Sequence, residues 1–349
     1  MGIIILVLFL LAVTLALIED RLEDSSKKRA YWIMASVLIL VAGLREVGID
    51  PDSINYEYAF VHYDDENLSG AIEYSYFLIS EILSKIVNDV HILFLFYAFW
   101  GVLLKFKAFR IYSPDLWFLP LVVYLSFIFE LHEMTQIRTG VMSGLFLLAI
   151  QPIAERKWLK ALVLIGIGTF FHISALMLIP LIFLSNKDMS VKRRLMWMAV
   201  IPCAYVMYVI GSNLLVNIPI PYIENKLENY ENNAGTMEAS LNVFSPMQLF
   251  TIMVYAYLMY FYDTIKEHNK YFTLMMKIFT LSISAFAAFA FLPVLANRVS
   301  YLLRIVTIIL FGNIYYTVRP RWVGLLLVVF VAMVYMTYTL SYIFGIKLL

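Results

Sequence analysis

Four arginines and three proton-carrying side chains stand out in an otherwise apolar chain. Arg45, Arg138, Arg298 and Arg304 each sit at the edge of an apolar run or inside one. A guanidinium stays charged and donates paired hydrogen bonds from a planar fork, a geometry that suits phosphate oxygens. Several of them converging at headgroup level would suit a lipid diphosphate. For each one alone, snorkelling or pairing with Glu46, Asp50 or Glu130 is the structural alternative. In Asp50-Pro51-Asp52, either carboxylate could take a proton from a sugar hydroxyl, although such a pair also shapes turns. His172, in Phe171-His172-Ile173-Ser174-Ala175, could act as a base when neutral or contact phosphate when protonated. Gln136 beside Arg138, Asn297 beside Arg298, Tyr301 and Tyr56 complete the set expected to touch substrate.

Other chemistries find no support. His132-Glu133 opens like a zinc-protease pattern, but position 136 is Gln136 rather than histidine. There is no phosphate loop of the GxxxxGK[ST] type and no dinucleotide fingerprint, so neither ATP nor NAD is expected. Arginines would take the place of a metal, and no cofactor is expected. The single cysteine, Cys203 beside Pro202, reads as a buried packing thiol.

The elements that must position these groups follow from composition. The 349 residues are 62% hydrophobic and 15% charged, with mean hydropathy +0.81. A soluble fold of this size could not hide that much apolar surface. A net charge of +1 gives no pull toward nucleic acid. Continuous apolar runs, rather than alternating ten-residue segments, point away from a lipid-facing barrel. The chain is therefore expected to be an all-α polytopic membrane protein forming one domain, 1–349. Candidate spans are 3–19, 31–47, 90–104, 115–131, 139–154, 195–211, 246–263, 271–295, 299–317 and 322–343. With 160–184 the number comes to roughly 11–12 helices, some of them short or broken.

Charge bias orients the chain. Arg21, Lys27, Lys28 and Arg29 mark one connection, and Lys105, Lys107 and Arg110 another. Arg156, Lys157 and Lys160 mark a third, and Lys187, Lys192, Arg193 and Arg194 a fourth; Lys266, Lys270, Arg319 and Arg321 complete the set. All can be cytoplasmic if both termini lie outside. The outer segments are then 48–88, a loop followed by an amphipathic helix lying on the surface, and the loop 212–245. Parity also requires 160–184 to leave and return on one side, as two half-helices broken near Thr169–Ser174 with His172 at the tip. One ordinary span remains the alternative. The four arginines then break the positive-inside rule, so carboxylates or an anionic ligand must answer their charge.

Taken in order, these stretches resemble the EpsG family of Wzy-type polysaccharide polymerases. Gly43-Leu44-Arg45-Glu46-Val47-Gly48-Ile49-Asp50, followed by Asn55-Tyr56 and Phe60, is similar to the family's Arg-x-x-x-Gly-x-Asp…Tyr signature. Arg45 to Gly48 is one residue tighter and Asp50 to Tyr56 is wider than in the family, so Asp52 is also a candidate for the family aspartate. Glu73-Tyr74-Ser75-Tyr76, Gln136-Ile137-Arg138, Phe171-His172-Ile173-Ser174-Ala175 and Asn297-Arg298-Val299-Ser300-Tyr301 follow in the family's order. The resemblance implies a scaffold like that of C-type membrane glycosyltransferases. It implies work at the outer face of a bacterial cytoplasmic (inner) membrane, in O-antigen, lipopolysaccharide or capsule synthesis. The reaction would be an inverting transfer of a growing glycan from undecaprenyl diphosphate to the non-reducing end of a lipid-linked repeat unit. Donor and acceptor are both lipid-linked oligosaccharides, and a chain-length regulator and a flippase are possible partners. An O-antigen-ligase-like transferase, an acyltransferase, or a flippase or transporter of the same lipid-linked sugar would be the rivals.

Overall fold

The computed structural model describes residues 1–50, 52–63, 74–214 and 241–342. The described residues are helical and pack as two compact units. The first takes Met1–Asn186, Asp263–Leu274 and Ile305–Leu349; the second takes Lys187–Tyr262 and Met275–Arg304.

In the first unit, α1 (Gly2–Ile18) and α2 (Asp24–Gly43) are followed by two short helices, α3 (Ser53–Val61) and α4 (Tyr74–Ser84). Then come α5 (His91–Tyr112) and α6 (Leu119–Val123), the latter continuing into wide π turns at Tyr124–Ile128 and Glu130–Thr135. Next are α7 (Ile137–Ala154) and α8 (Trp158–Phe171), after which residues Ile173–Phe183 run as a 3-10 helix. In the second unit, α9 (Val191–Leu214) and α10 (Pro246–Tyr260) pack with most of α11 (Phe272–Ala288) and with α12 (Pro293–Arg304). Back in the first unit are α13 (Thr307–Gly312) and α14 (Arg321–Tyr342). Five helices among the described residues are long and apolar enough to cross a bilayer, and six if Pro293–Arg304 and Thr307–Tyr316 count as one span. Of the remaining expected spans, 115–131, 160–184 and 271–295 contain shorter apolar helices, the first interrupted by π turns and the second by the break at His172. Residues 31–47 fall mostly in the 20-residue α2, which begins with charged residues, and 246–263 mostly in the 15-residue α10.

The ends of the first unit are chemically distinct. At one end Glu19 accepts backbone N–H groups from Trp117 and Phe118, Arg321 approaches His268, and Glu155 accepts from the Tyr271 hydroxyl. Arg21, Arg156 and Lys157 in the connections, and Lys27, Lys28 and Arg29 at the start of α2, gather here, the pattern that positive-inside bias requires of one side. At the other end Arg45, His91 and Met134 meet. α1 starts at the Arg45 end, and α14 runs back toward it, where Thr339 donates to the Ser126 carbonyl.

Residues 158–183 form a helical hairpin. His172 is extended, at φ −154° and ψ 125°, and breaks the helix. α8 is about 21 Å long at 1.5 Å per residue, and the 3-10 limb is about 22 Å long at 2.0 Å per residue. The two limbs therefore return the chain to one level, where Arg156 donates to the Ile182 carbonyl at 3.4 Å.

Three expectations are corrected. Lys105 is not in a connection: it lies within α5, fully excluded from solvent. α4 does not simply float on the surface, because Tyr76 and Ile79 face the protein core while Ile82 and Ile86 face out. Cys203 is exposed on α9 rather than buried. Ile72, Glu73 and most of the loop 212–245 lie outside the described residues.

Candidate functional site

Arg45 lies in the core with every nitrogen committed. Nε donates to Asp50 Oδ2 at 2.8 Å, Nη1 to the Ala42 carbonyl at 2.7 Å and Nη2 to the Met134 carbonyl at 2.6 Å. Its guanidinium carbon stands 3.9 Å from the centre of the Phe94 ring. The other oxygen of Asp50 accepts the backbone N–H groups of Asp52 at 3.1 Å and Ser53 at 3.0 Å. The turn between the two residues passes through Gly48, whose φ of +91° favours glycine. This departs from the expectation that Arg45 binds diphosphate and Asp50 acts as base. A charge away from water needs an opposite charge and full hydrogen bonding. Each residue supplies the other, and together they brace the loop that carries Asp52.

Asp52 occupies the N-cap position of α3, its side chain makes no capping bond there, and it is partly buried. Burial raises its pKa, the neighbouring Asp50 charge adds to the rise, and Arg138 opposes it. Arg138 is the second residue of α7, where unpaired helix N–H groups add positive potential. Its guanidinium carbon lies 6.0 Å from the ring centres of Tyr56 and Tyr76. Gln136 is the N-cap residue of the same helix. Asp52, Tyr56, Gln136 and Arg138 thus share one locality at the Arg45 end.

An aromatic ladder links that locality to the hairpin. Tyr56 stacks on Tyr76 at 5.8 Å and Tyr76 on Tyr97 at 6.4 Å, while Phe171 meets Tyr97 edge-on at 6.1 Å. The Tyr76 hydroxyl donates to the Tyr56 carbonyl at 2.6 Å. His172 follows Phe171, and its Nδ1 accepts the Ser174 N–H at 3.1 Å. The ladder fixes the hairpin tip against the α3–α4 segment.

In the second unit, Asn297, Tyr301 and Arg304 follow helical spacing along one face of α12. Arg304 is buried and donates to Gln248 Oε1 and to Ser300 Oγ, each at 3.3 Å. Arg298 is exposed. Gln248 escaped sequence reading because its signal, one amide in the first turn of an apolar helix, carries no pattern.

A second polar group was also missed. Lys105 Nζ lies 2.5 Å from Glu133 Oε1, which also accepts the Tyr124 hydroxyl at 2.8 Å. Lys105 donates to the Gly140 carbonyl at 2.6 Å, and His132 Nδ1 stands 3.0 Å from Ser143 Oγ. The detectable signal was a histidine and a glutamate inside an apolar stretch, where ionisable groups are costly.

The architecture defines the class first: an all-α polytopic membrane protein with a polar site at one end of its first unit. A model of the EpsG family matches residues 28–347, and the chain belongs to that family. Membership gives it the character of a polymerase-like, glycosyl-processing membrane protein. No curated protein and no solved structure matches it.

Proposed function

We propose that the chain is a polysaccharide polymerase at the outer face of a bacterial cytoplasmic membrane. It moves the growing glycan from undecaprenyl diphosphate to the non-reducing end of the next lipid-linked repeat unit. The carrying observation is Arg138 at the N-terminus of α7, beside the rings of Tyr56 and Tyr76 and near enough to partly buried Asp52 to oppose the rise in its pKa. A cation and a carboxylate share one locality at a helix terminus suited to anions.

In this reading Asp52 takes the proton from the acceptor hydroxyl as its oxygen attacks the anomeric carbon. The bond from that carbon to the diphosphate breaks, and the electron pair leaves on the phosphate oxygen. Arg138 and the first N–H groups of α7 stabilise the charge that grows there; one such donor is worth about 3–4 kcal/mol in a water-poor site. Attack from the face opposite the leaving group inverts the anomeric centre. Within the first unit His172 is proposed to serve the same substrate, with Gln136 and Tyr56 contacting it. Arg45 and Asp50 act by holding Asp52.

Purified protein in proteoliposomes, supplied with lipid-linked repeat units, tests the reading. Lengthened glycans support a polymerase. Movement of the lipid-linked unit across the membrane without lengthening would identify a transporter instead.

A further inference from the structure

At the Glu19 end of the first unit, opposite Arg138, a cavity of about 250 Å³ opens between α1 and α14. Glu19, Asp20 and Asp115 bring three carboxylates to its wall, and Arg321 brings one guanidinium. Glu19 is engaged by two backbone N–H groups, whereas Asp20 and Asp115 are exposed. Tyr315 and Tyr316 line the wall with their rings, and Arg321 lies 5.4 and 5.2 Å from the two ring centres. A donor bond from Arg321 to the Tyr315 carbonyl at 3.5 Å, and contact with His268 at 3.2 Å, hold that guanidinium in place. The lining therefore carries a net charge of −2 from three acids and one base.

Acids beside aromatic faces recognise an ammonium group. The guanidinium beside them recognises a phosphate. Both charges in one small cavity call for a zwitterion whose ammonium and phosphate lie close together. A cavity of about 250 Å³ has room for a group the size of phosphoethanolamine. The rest of the lining is apolar. Leu17 and Trp322 are exposed on α1 and α14, and Leu325 continues the wall along α14. Both helices are long and apolar enough to cross a membrane, so the cavity lies at a helix end where headgroups sit.

We propose that this cavity binds the headgroup of an aminophospholipid, phosphatidylethanolamine. Asp20 and Asp115 take the ammonium with the faces of Tyr315 and Tyr316, Arg321 takes the phosphate, and an acyl chain lies along Leu17 and Trp322. The site is separate from the Arg138 locality and does not depend on the polymerase reading. A lysine side chain from a partner protein would satisfy the carboxylates but leave Arg321 and the exposed Leu17 and Trp322 without purpose.

The test delipidates the full-length chain in detergent and re-equilibrates it with equal amounts of phosphatidylethanolamine and phosphatidylglycerol. Native mass spectrometry then counts the retained lipids. The wild type should retain phosphatidylethanolamine over phosphatidylglycerol by about fivefold or more, the scale of one or two exposed cation–π contacts. Asp20→Asn/Asp115→Asn should bring the two close to parity, and Asp115→Asn alone, at an exposed position, should lower the preference part-way. Equal retention by the wild type would overturn the assignment, as would preference for phosphatidylglycerol or a preference unchanged in both variants. Retention of a lysine-bearing peptide with no lipid preference would make the cavity a protein site and also overturn it.

Discussion

Lys105 Nζ stands 2.5 Å from Glu133 Oε1 with both side chains fully excluded from solvent. The pair joins α5 to the π turn that precedes α7, the helix that begins with Arg138 two residues in. Removing one partner leaves an uncompensated charge away from water. Lys105→Met should therefore destabilise the protein by about 3–5 kcal/mol. Gly101→Ala should act in the same direction, because its Cβ would lie 2.0 Å from Glu133 Oε2. Thermal unfolding in detergent, followed by the fraction of monodisperse protein, checks both; wild-type melting in either would contradict the packing.

Arg45 and Arg138 should behave oppositely when truncated. Arg45→Ala strands Asp50 and opens the loop that carries Asp52, so protein levels should fall, with a loss of about 3–5 kcal/mol. Arg138→Ala removes a partly buried side chain that, unlike Arg45, does not brace the Asp50 loop, so protein levels should stay normal while polymer disappears. Immunoblotting with glycan ladders separates the two outcomes.

Asp52 fixes a pH dependence. A general base works only when ionised, so activity is present above its pKa and lost as pH falls through it. Burial and the Asp50 charge raise that pKa, and Arg138 only partly opposes them. The acidic limb of the rate should therefore lie above the ordinary aspartate value of about 3.9. Arg138→Lys keeps the opposing charge, so it should lower the rate with little movement of the limb. Asp52→Asn should leave a residual rate without the limb. A limb at or below the ordinary value, or one retained in Asp52→Asn, would assign the proton to another group.

The hairpin makes a topological prediction. In a Cys203→Ala background, cysteines at Lys157 and Ser185 should react with an impermeant thiol reagent from the same side of the membrane. The Arg156 contact to Ile182 places both ends of the hairpin at one level. Labelling from opposite sides would require a single span through 158–183.

Much of this fold was legible because it depends on local quantities. Composition settles the helical membrane class, since no other fold hides so much apolar surface. The break at His172 followed from parity and segment length, both read along the chain. What was not legible depends on distant partners. Lys105 read as a connection residue because its compensating charge, Glu133, is far along the sequence and brought close only by the pairing of α5 with the π turn. Arg45 and Asp50 read as two site residues, and only three-dimensional closure of the Gly48 turn shows them spending their charge on each other. The stacked rings of Tyr56, Tyr76 and Tyr97 come from three separate helices, so no spacing announces them. Asp52, Tyr56, Gln136 and Arg138, by contrast, were named from type and position and fall together in the first unit.

The central claim is that Arg138 handles the diphosphate of a lipid-linked donor. Its most direct test is the glycan length distribution made in proteoliposomes from lipid-linked repeat units by wild type and by Arg138→Ala at matched protein levels. The account predicts long products from the wild type and unextended single units from the variant. A wild-type ladder from Arg138→Ala would contradict it.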